Sequence, residues 1–293
     1  MTFDSSYIVI TPVRNEGRHF ARTIESVVAQ TKSPATWCIV DDGSTDDTRA
    51  IADAVALKHS WIKVIARPDR GFRQPGSGVI EAFYEALAAI ENQAWGFLVK
   101  LDGDLVFGPD YFQRCLEHFV QDARLGIGGG LVCRGQEGAW AIDSAGDPAF
   151  HVRGATKIYR RACWEQIGGL IKEPGWDTID ELKANMLGWT TRTFTDIQVH
   201  QLKETGSADG SWRNWVKNGR ANYITGYHPI FMVCKCAKRL LQKPFGIAGV
   251  GLLFGFASGY LERIPQLPDR ELVRFIRREQ LRKLTFRRSL WTA

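Results

Sequence analysis

The sequence has no C-x-x-C pair. Its six cysteines, Cys38, Cys115, Cys133, Cys163, Cys234 and Cys236, sit mostly in apolar runs. That spacing excludes a disulfide framework and predicts reduced, buried thiols in a cytoplasmic protein. Cys234 and Cys236, with His228 nearby, make a weak zinc candidate. The opening MTFDSSYIVITPVRNEG enters a strand-like run without a basic n-region or a small-residue cleavage site, so no secretory leader is expected. A basic body is missing too. From Lys235 onward there are 13 Lys+Arg against 4 Asp+Glu, whereas the first 234 residues carry 25 against 28. The net charge of +6 thus divides into a body of −3 and a tail of +9. This excludes a nucleic-acid-binding body and points to a local anionic partner, such as a membrane surface. Nor is GIGGGLV (126–132) a dinucleotide fingerprint, because it follows no suitable first strand and opens no helix.

What is present suits a folded α/β protein, with 44% hydrophobic and 24% charged residues in 293. Apolar runs predict strands over 7–13, 36–43, 61–67 and 95–102, each followed by a helix-like stretch. This alternation implies a mainly parallel sheet covered by helices on both faces. Ligands of such sheets bind beyond the carboxyl ends of the strands. Asp41, Asp42, Asp102 and Asp104 all fall at those ends. After about Gly226 the character changes. The stretch 244–261 is 18 residues without a charge and contains five glycines, of which Gly251, Gly255 and Gly259 form a small-residue ridge. A basic amphipathic helix is predicted over 269–288. The division expected is a catalytic unit over 1–228 and a basic, partly apolar helical region over 229–293. The uncharged stretch reads as a hairpin packed on the protein, as a span at the lower limit of length, or as an interfacial or re-entrant segment, which its basic neighbour favours.

Two acidic motifs carry chemistry. VDDGSTDDT (40–48) reads as a strand-to-helix turn, with Gly43 supplying the bend and Ser44 or Thr45 a cap. That turn leaves the crowding of Asp41 against Asp42 unexplained, and the ribose hydroxyls and base of a nucleoside would supply donors for both. LDGDL (101–105) reads equally as a turn, but residues i and i+2 of an extended segment point the same way, so both carboxylates could face one cation. Magnesium and manganese accept such a pair, with substrate phosphates completing the shell.

TPVRNEG, VDDGSTDDT, KLDGDL, VRGATKIYRRACWEQIGGL and GWDTIDELKANMLGW, in this order from about Tyr7 to Tyr227, resemble a family 2 glycosyltransferase with the GT-A fold, of the bacterial cell-surface type. The resemblance implies inverting transfer of a sugar from a nucleotide-diphospho-sugar, assisted by Mn2+ or Mg2+. It implies that Pro12, Glu16, Asp41 and Asp42 hold the nucleoside, that Lys100 and Gly154 also line the donor site, that Asp102 contacts the ribose or the metal, and that Asp104 ligates the metal directly. His200 is the late histidine such enzymes often recruit to the metal or diphosphate, against a reading as a surface or core histidine. His151 is a weaker candidate for a donor or acceptor contact. Lys203, Arg213, Lys217 and Arg220 are candidate diphosphate clamps, against solvated helix charges.

A carboxylate must take the acceptor's proton as C1 develops positive charge. The family usually shows Glu-Asp with a glycine eleven residues after the Asp. Asp177 stands eleven before Gly188, with Trp176 in place of the Glu. Asp177 is the leading base, and Asp180 or Glu181 the alternatives. All three also suit a helix start. The processive members' Q-x-x-R-W motif is matched only poorly by SWRNW (211–215), which favours transfer of a single sugar. The overall expectation is a membrane-associated enzyme at the cytoplasmic face of the plasma membrane. It would add a sugar to a polyprenyl-diphosphate-linked acceptor in surface polysaccharide synthesis. The alternatives are a nucleotidyltransferase acting on a sugar phosphate, for which the glycine-rich first loop is missing, and a non-catalytic membrane-bound subunit of the same fold.

Overall fold

Strand β1 (Tyr7–Val13) shows why the first apolar run does not alternate. Tyr7 and Val9 enter one core with Phe20, Trp37 and Phe112, while Ile8 and Ile10 enter another with Val40, Phe83 and Leu98. Both faces are covered, as a strand buried within a parallel sheet requires. A computed structural model describes residues 4–71, 77–136, 139–143, 146–203, 210–240 and 245–292. After β1 come α1 (Gly17–Val28), β2 (Thr36–Asp41), α2 (Thr48–Ala56), β3 (Ile62–Ala66), α3 (Ser77–Ala89) and β4 (Phe97–Leu101). The middle of the chain forms β5 (Leu105–Phe107), α4 (Tyr111–Gln121), β6 (Leu125–Gln136), β7 (Ala139–Ile142), β8 (Thr156–Arg160), α5 (Arg161–Ile167), α6 (Trp176–Met186) and β9 (Thr190–Gln201). Four helices follow: α7 (Gly210–Ile224), α8 (Pro229–Leu240), α9 (Ile247–Leu261) and α10 (Arg270–Leu284).

The strands form one sheet in the order β3-β2-β1-β4-β8-β6-β9-β5, with β7 paired to β6. Its first four strands are parallel, as expected. Beyond β4 the expectation holds only in part, because β6 and β9 are parallel but β8 pairs antiparallel with both β4 and β6, and β5 pairs antiparallel with β9. The sheet is mixed. Apolar runs locate strands, but orientation is set by connections that no local pattern records. GIGGGLV belongs to β6, where its glycines admit close neighbours. A Cβ on Gly128 would lie 2.4 Å from the Phe194 ring, and one on Gly129 2.4 Å from the Thr156 carbonyl oxygen.

The cysteines are free. Five are buried and Cys234 is exposed, so the expectation of buried thiols fails at that one position.

The glycine ridge of the uncharged stretch faces α7. A Cβ on Gly255 would lie 1.9 Å from the Val216 carbonyl oxygen, and one on Gly219 of α7 2.1 Å from that of Leu252. Gly251 and Gly259 meet Trp215 and Tyr223. Pro244, first in the uncharged stretch, lies outside the described residues. No helix among the described residues is long and apolar enough to cross a membrane. At 15 residues α9 reaches only about 22 Å. A third core joins Phe150, Ile179 and Leu182 to Tyr223, Met232, Leu252, Ile276 and Trp291. Packing is therefore continuous across residue 228, and α7 is bound to α9 beyond it. Because backbone touches backbone there, Gly255→Val is expected to cost at least about 1–3 kcal/mol in thermal unfolding.

Candidate active site

The carboxyl ends of β1 and β2 are cross-linked. Asn15, in the left-handed region at φ 54°, accepts from Thr45 N at 2.8 Å, and its own N–H donates to Ser44 Oγ at 3.0 Å. Asp41 is buried and accepts from Ser44 N at 3.0 Å. The crowding of Asp41 and Asp42 has an internal answer that the sequence reading missed. Arg67 reaches the Asp42 carboxylate at 2.5 Å and Arg70 grips its other oxygen, while Arg14 donates to the Asp42 carbonyl. Burial still raises the Asp42 pKa despite these guanidiniums. The signal was present in ARPDR (66–70), directly after β3. Pro12, opposite Val40, and Glu16, at the start of α1, border the same rim.

Asp102 and Asp104 occupy the turn between β4 and β5, so the segment is not the extended one expected. Their charges still interact. Burial, with the charges of Asp102 and Glu16, pushes the Asp104 carboxyl up to about 7, against the opposing pull of Gln201 and Lys203. Gln201 donates to Asp104 at 3.1 Å, and Lys203 pairs with Glu16 at 2.8 Å. Lys100 extends its ammonium to Asp102 and, at 2.6 Å, to the Gly154 carbonyl.

His200 is not brought to this cluster. On β9 it lies opposite Val106 and stacks on Trp140 with centroids 4.3 Å apart, whereas its neighbour Gln201, on the other face of the strand, takes the place beside Asp104. An alternation of one residue decides the matter. Of the proposed clamps, Lys203 reaches the site, and Arg220 instead pairs with Glu262 at 2.6 Å.

The base candidates separate clearly. Lys157, wholly buried on β8 and in register with Lys100 of β4, donates to both Asp180 oxygens at 2.9 and 3.0 Å and pairs with Glu181 at 2.6 Å. Tyr159 donates to Asp180 at 2.6 Å. Burial pushes the Asp180 carboxyl up to about 6, opposed by Lys157. Asp180 and Glu181 are thus interior ion-pair partners, and the structure does not offer Asp180 to an acceptor. Asp177, in the first turn of α6, is only half-buried, and Lys157 fixes its main-chain carbonyl. A Cβ on Gly154 would lie 3.3 Å from Asp177 Oδ2, so Gly154 links Asp177 to Lys100 and Asp102. Trp176 lies beneath both ammonium groups, 5.4 Å from Lys100 and 5.7 Å from Lys157. Lys157 precedes Ile158 and Tyr159 in β8, and that apolar pair was its only signal in the sequence.

Among the described residues no three His, Cys, Asp or Glu side chains gather to hold a metal. The donor set of Asp102 and Asp104 nevertheless fits a divalent ion that shares oxygens with a diphosphate, because the two carboxylates lie close enough that the Asp102 charge adds to burial in raising the Asp104 pKa.

Solved structures share this architecture. The mannosyltransferase of Pyrobaculum calidifontis, solved in complex with GDP-Man and Mn2+, is 15% identical, with a TM-score of 0.54 over 94% of this chain and 81% of that one. GalNAc-T7 with UDP, GalNAc and Mn2+ is 13% identical, with a TM-score of 0.61 over 96% of this chain and 57% of that one. At such identities the likeness is one of fold, the GT-A type. The family model described as Glycosyl transferase family 2 matches residues 8–163, more than half of the chain, and the chain belongs to that family. Chondroitin synthase of Escherichia coli is 28% identical over 118 residues, which are 40% of this chain but only 16% of that protein's length.

Two outcomes are expected. Asp180→Asn should lower stability by about 1–3 kcal/mol by leaving Lys157 to Glu181 alone and weakening the Tyr159 bond, and Asp177→Asn by less than about 1 kcal/mol, both read by denaturant unfolding. His151 bonds Glu181 at 2.9 Å. Burial opposes its charge, but Glu181 and Asp177 outweigh that and raise its pKa. Its folded pKa therefore exceeds the unfolded value of about 6.5, so its contribution is complete below that pH and lost as pH rises through the folded pKa. The Tm advantage of the wild type over His151→Gln should shrink from acidic to alkaline pH.

Proposed function

We propose that the chain transfers one sugar, with inversion, from a nucleotide-diphospho-sugar to a polyprenyl-diphosphate-linked acceptor in the assembly of a surface glycan. The observation that carries this reading is the link from Asp102 through Lys100 and Gly154 to the half-buried Asp177. That link supports a reading in which a carboxylate pair suited to a metal–diphosphate works beside Asp177 as the base. Asp102 and Asp104 would hold the divalent ion, which when bound neutralises charge on the departing diphosphate. Pro12, Glu16 and Asp41 border the nucleoside. Asp42 acts there through Arg67 and Arg70, which leaves guanidinium groups rather than a free carboxylate at that edge.

Asp177 accepts the acceptor hydroxyl's proton as the oxygen bonds to C1 and the C1–O bond to the diphosphate breaks on the opposite face. Lys157 keeps the Asp177 main chain in place, and Asp180 and Glu181 keep Lys157 charged. The basic C-terminal helices support action at the cytoplasmic face of a membrane, where a lipid-linked acceptor resides. The relatives' names support sugar transfer in general terms and leave the donor open.

A thermal-shift screen of nucleotide sugars with and without Mn2+ tests the donor site. The wild type should be stabilised by one of them only with metal, and Asp104→Ala should lose that shift. Undiminished transfer by Asp104→Ala would remove the metal assignment. Asp177→Asn should keep the donor-induced shift and lose about 10²–10⁴ in kcat, read with a polyprenyl-diphosphate-linked acceptor.

A further inference from the structure

The outward side of α9 carries no charge. Ile247, Val250, Leu253, Phe254, Tyr260 and Leu261 are exposed along it, Leu261 at 84%, while Gly251, Gly255 and Gly259 turn inward to α7. An ordinary surface helix buries its large apolar residues, whereas this one buries Leu252 and Phe256 and presents the other six. The patch continues onto neighbouring helices. Trp212 of α7 is exposed 6.0 Å from Phe254, and α8, packed on α9 where Gly249 meets Cys236, exposes Ile230 and Val233.

A basic groove adjoins α8. His228, just before that helix, lines a cavity of about 670 Å³ with Arg274, Arg277, Arg278, Arg282 and Arg287 of α10 and the residues after it. Arg277 is committed to the Gly226 carbonyl at 2.9 Å, and Arg278 and Arg282 share Glu279. Arg274 and Arg287 have no ion pair among the described residues and are exposed. One carboxylate thus serves the groove's five guanidiniums. Buried Gln280 accepts from His228 N at 2.8 Å and fixes the groove wall.

Charge decides what covers this surface. The apolar stripe alone would suit a second copy as well as a lipid surface, but a second copy would bring another +9 tail beside the first. Apolar and aromatic side chains flanked by unneutralised arginines match an acyl boundary beneath phosphate headgroups. We propose that the outer faces of α8 and α9 and the α10 groove form one docking surface for an anionic phospholipid bilayer. The side chains of α9 enter the headgroup layer, and the arginines hold lipid phosphates. This rests on the reading of a lipid-linked acceptor and gives that reading a surface. The third core connects it to α6, whose first turn carries Asp177.

The test uses the full chain and vesicles of phosphatidylcholine, alone or with added phosphatidylglycerol, read by flotation and by tryptophan emission. The wild type should bind only the anionic vesicles, release with salt, and shift its emission to the blue. The triple variant Arg274→Gln, Arg278→Gln, Arg287→Gln should lose on the order of a hundredfold in partitioning. The double variant Leu253→Gln, Phe254→Gln should lose the blue shift and most of the binding. Both variants should keep the metal-dependent thermal shift with nucleotide sugar. That readout separates failure of the docking surface from failure of the donor site. Equal binding to neutral vesicles, or unchanged binding by the triple variant, would overturn the proposal. So would displacement by inorganic phosphate at constant ionic strength, which assigns the groove to a soluble anion, or a wild-type dimer that the double variant splits, which assigns the stripe to a second copy.

Discussion

One buried ammonium organises the active side of the molecule. Lys157 has no exposed surface, and an uncompensated charge at such a depth would cost several kcal/mol. The compensation comes from α6, which delivers Asp180 and Glu181 together against β8. The same ammonium bonds the carbonyl of Asp177, so the rotation and depth of the first turn of α6 are fixed by the ion cluster. Glu181 goes on to accept from Val152 N at 2.8 Å and to meet His151, which holds the loop that ends at Gly154. Gly154 in turn meets Lys100. A single charge requirement thereby places the base candidate, the loop beside it and the aspartate at the end of β4.

Much of this was legible in residue order. Four parallel strands announced themselves as apolar runs because burial on both faces removes alternation. The acidic rim followed from their carboxyl ends, and Asp177 from its spacing to Gly188. What the sequence could not reveal was pairing. β8 enters the sheet antiparallel between β4 and β6, and only that insertion puts Lys157 across from Lys100. Hence Asp180 and Glu181 read as alternative bases or as acids suited to a helix start, although they are interior partners of a lysine on a distant strand. Asp42 misled for the same reason, since its partners Arg67 and Arg70 lie beyond another strand. His200 failed at finer grain. A strand's two faces differ by one residue, and the β5–β9 register selects Gln201.

The uncharged stretch also divided differently from any of its simple readings. Its glycines, with Leu252 and Phe256, pack within the protein, as a buried hairpin would, while most of its large apolar side chains stay outside, as an interfacial element would. Composition described both behaviours at once, because glycine and leucine count alike as uncharged. Only the helical phase, with Gly251, Gly255 and Gly259 on one side and Val250, Leu253 and Phe254 on the other, separates them.

That separation has an evolutionary consequence. At Gly255 and Gly219 the α7–α9 contact is made against main chain, so α9 is anchored there by residues that have no side chain to vary. Its outer residues contribute little to that anchorage. Drift can therefore remodel the outward face, residue by residue, for a different surrounding without loosening the helix from the body. The inner glycines, by contrast, admit almost no replacement.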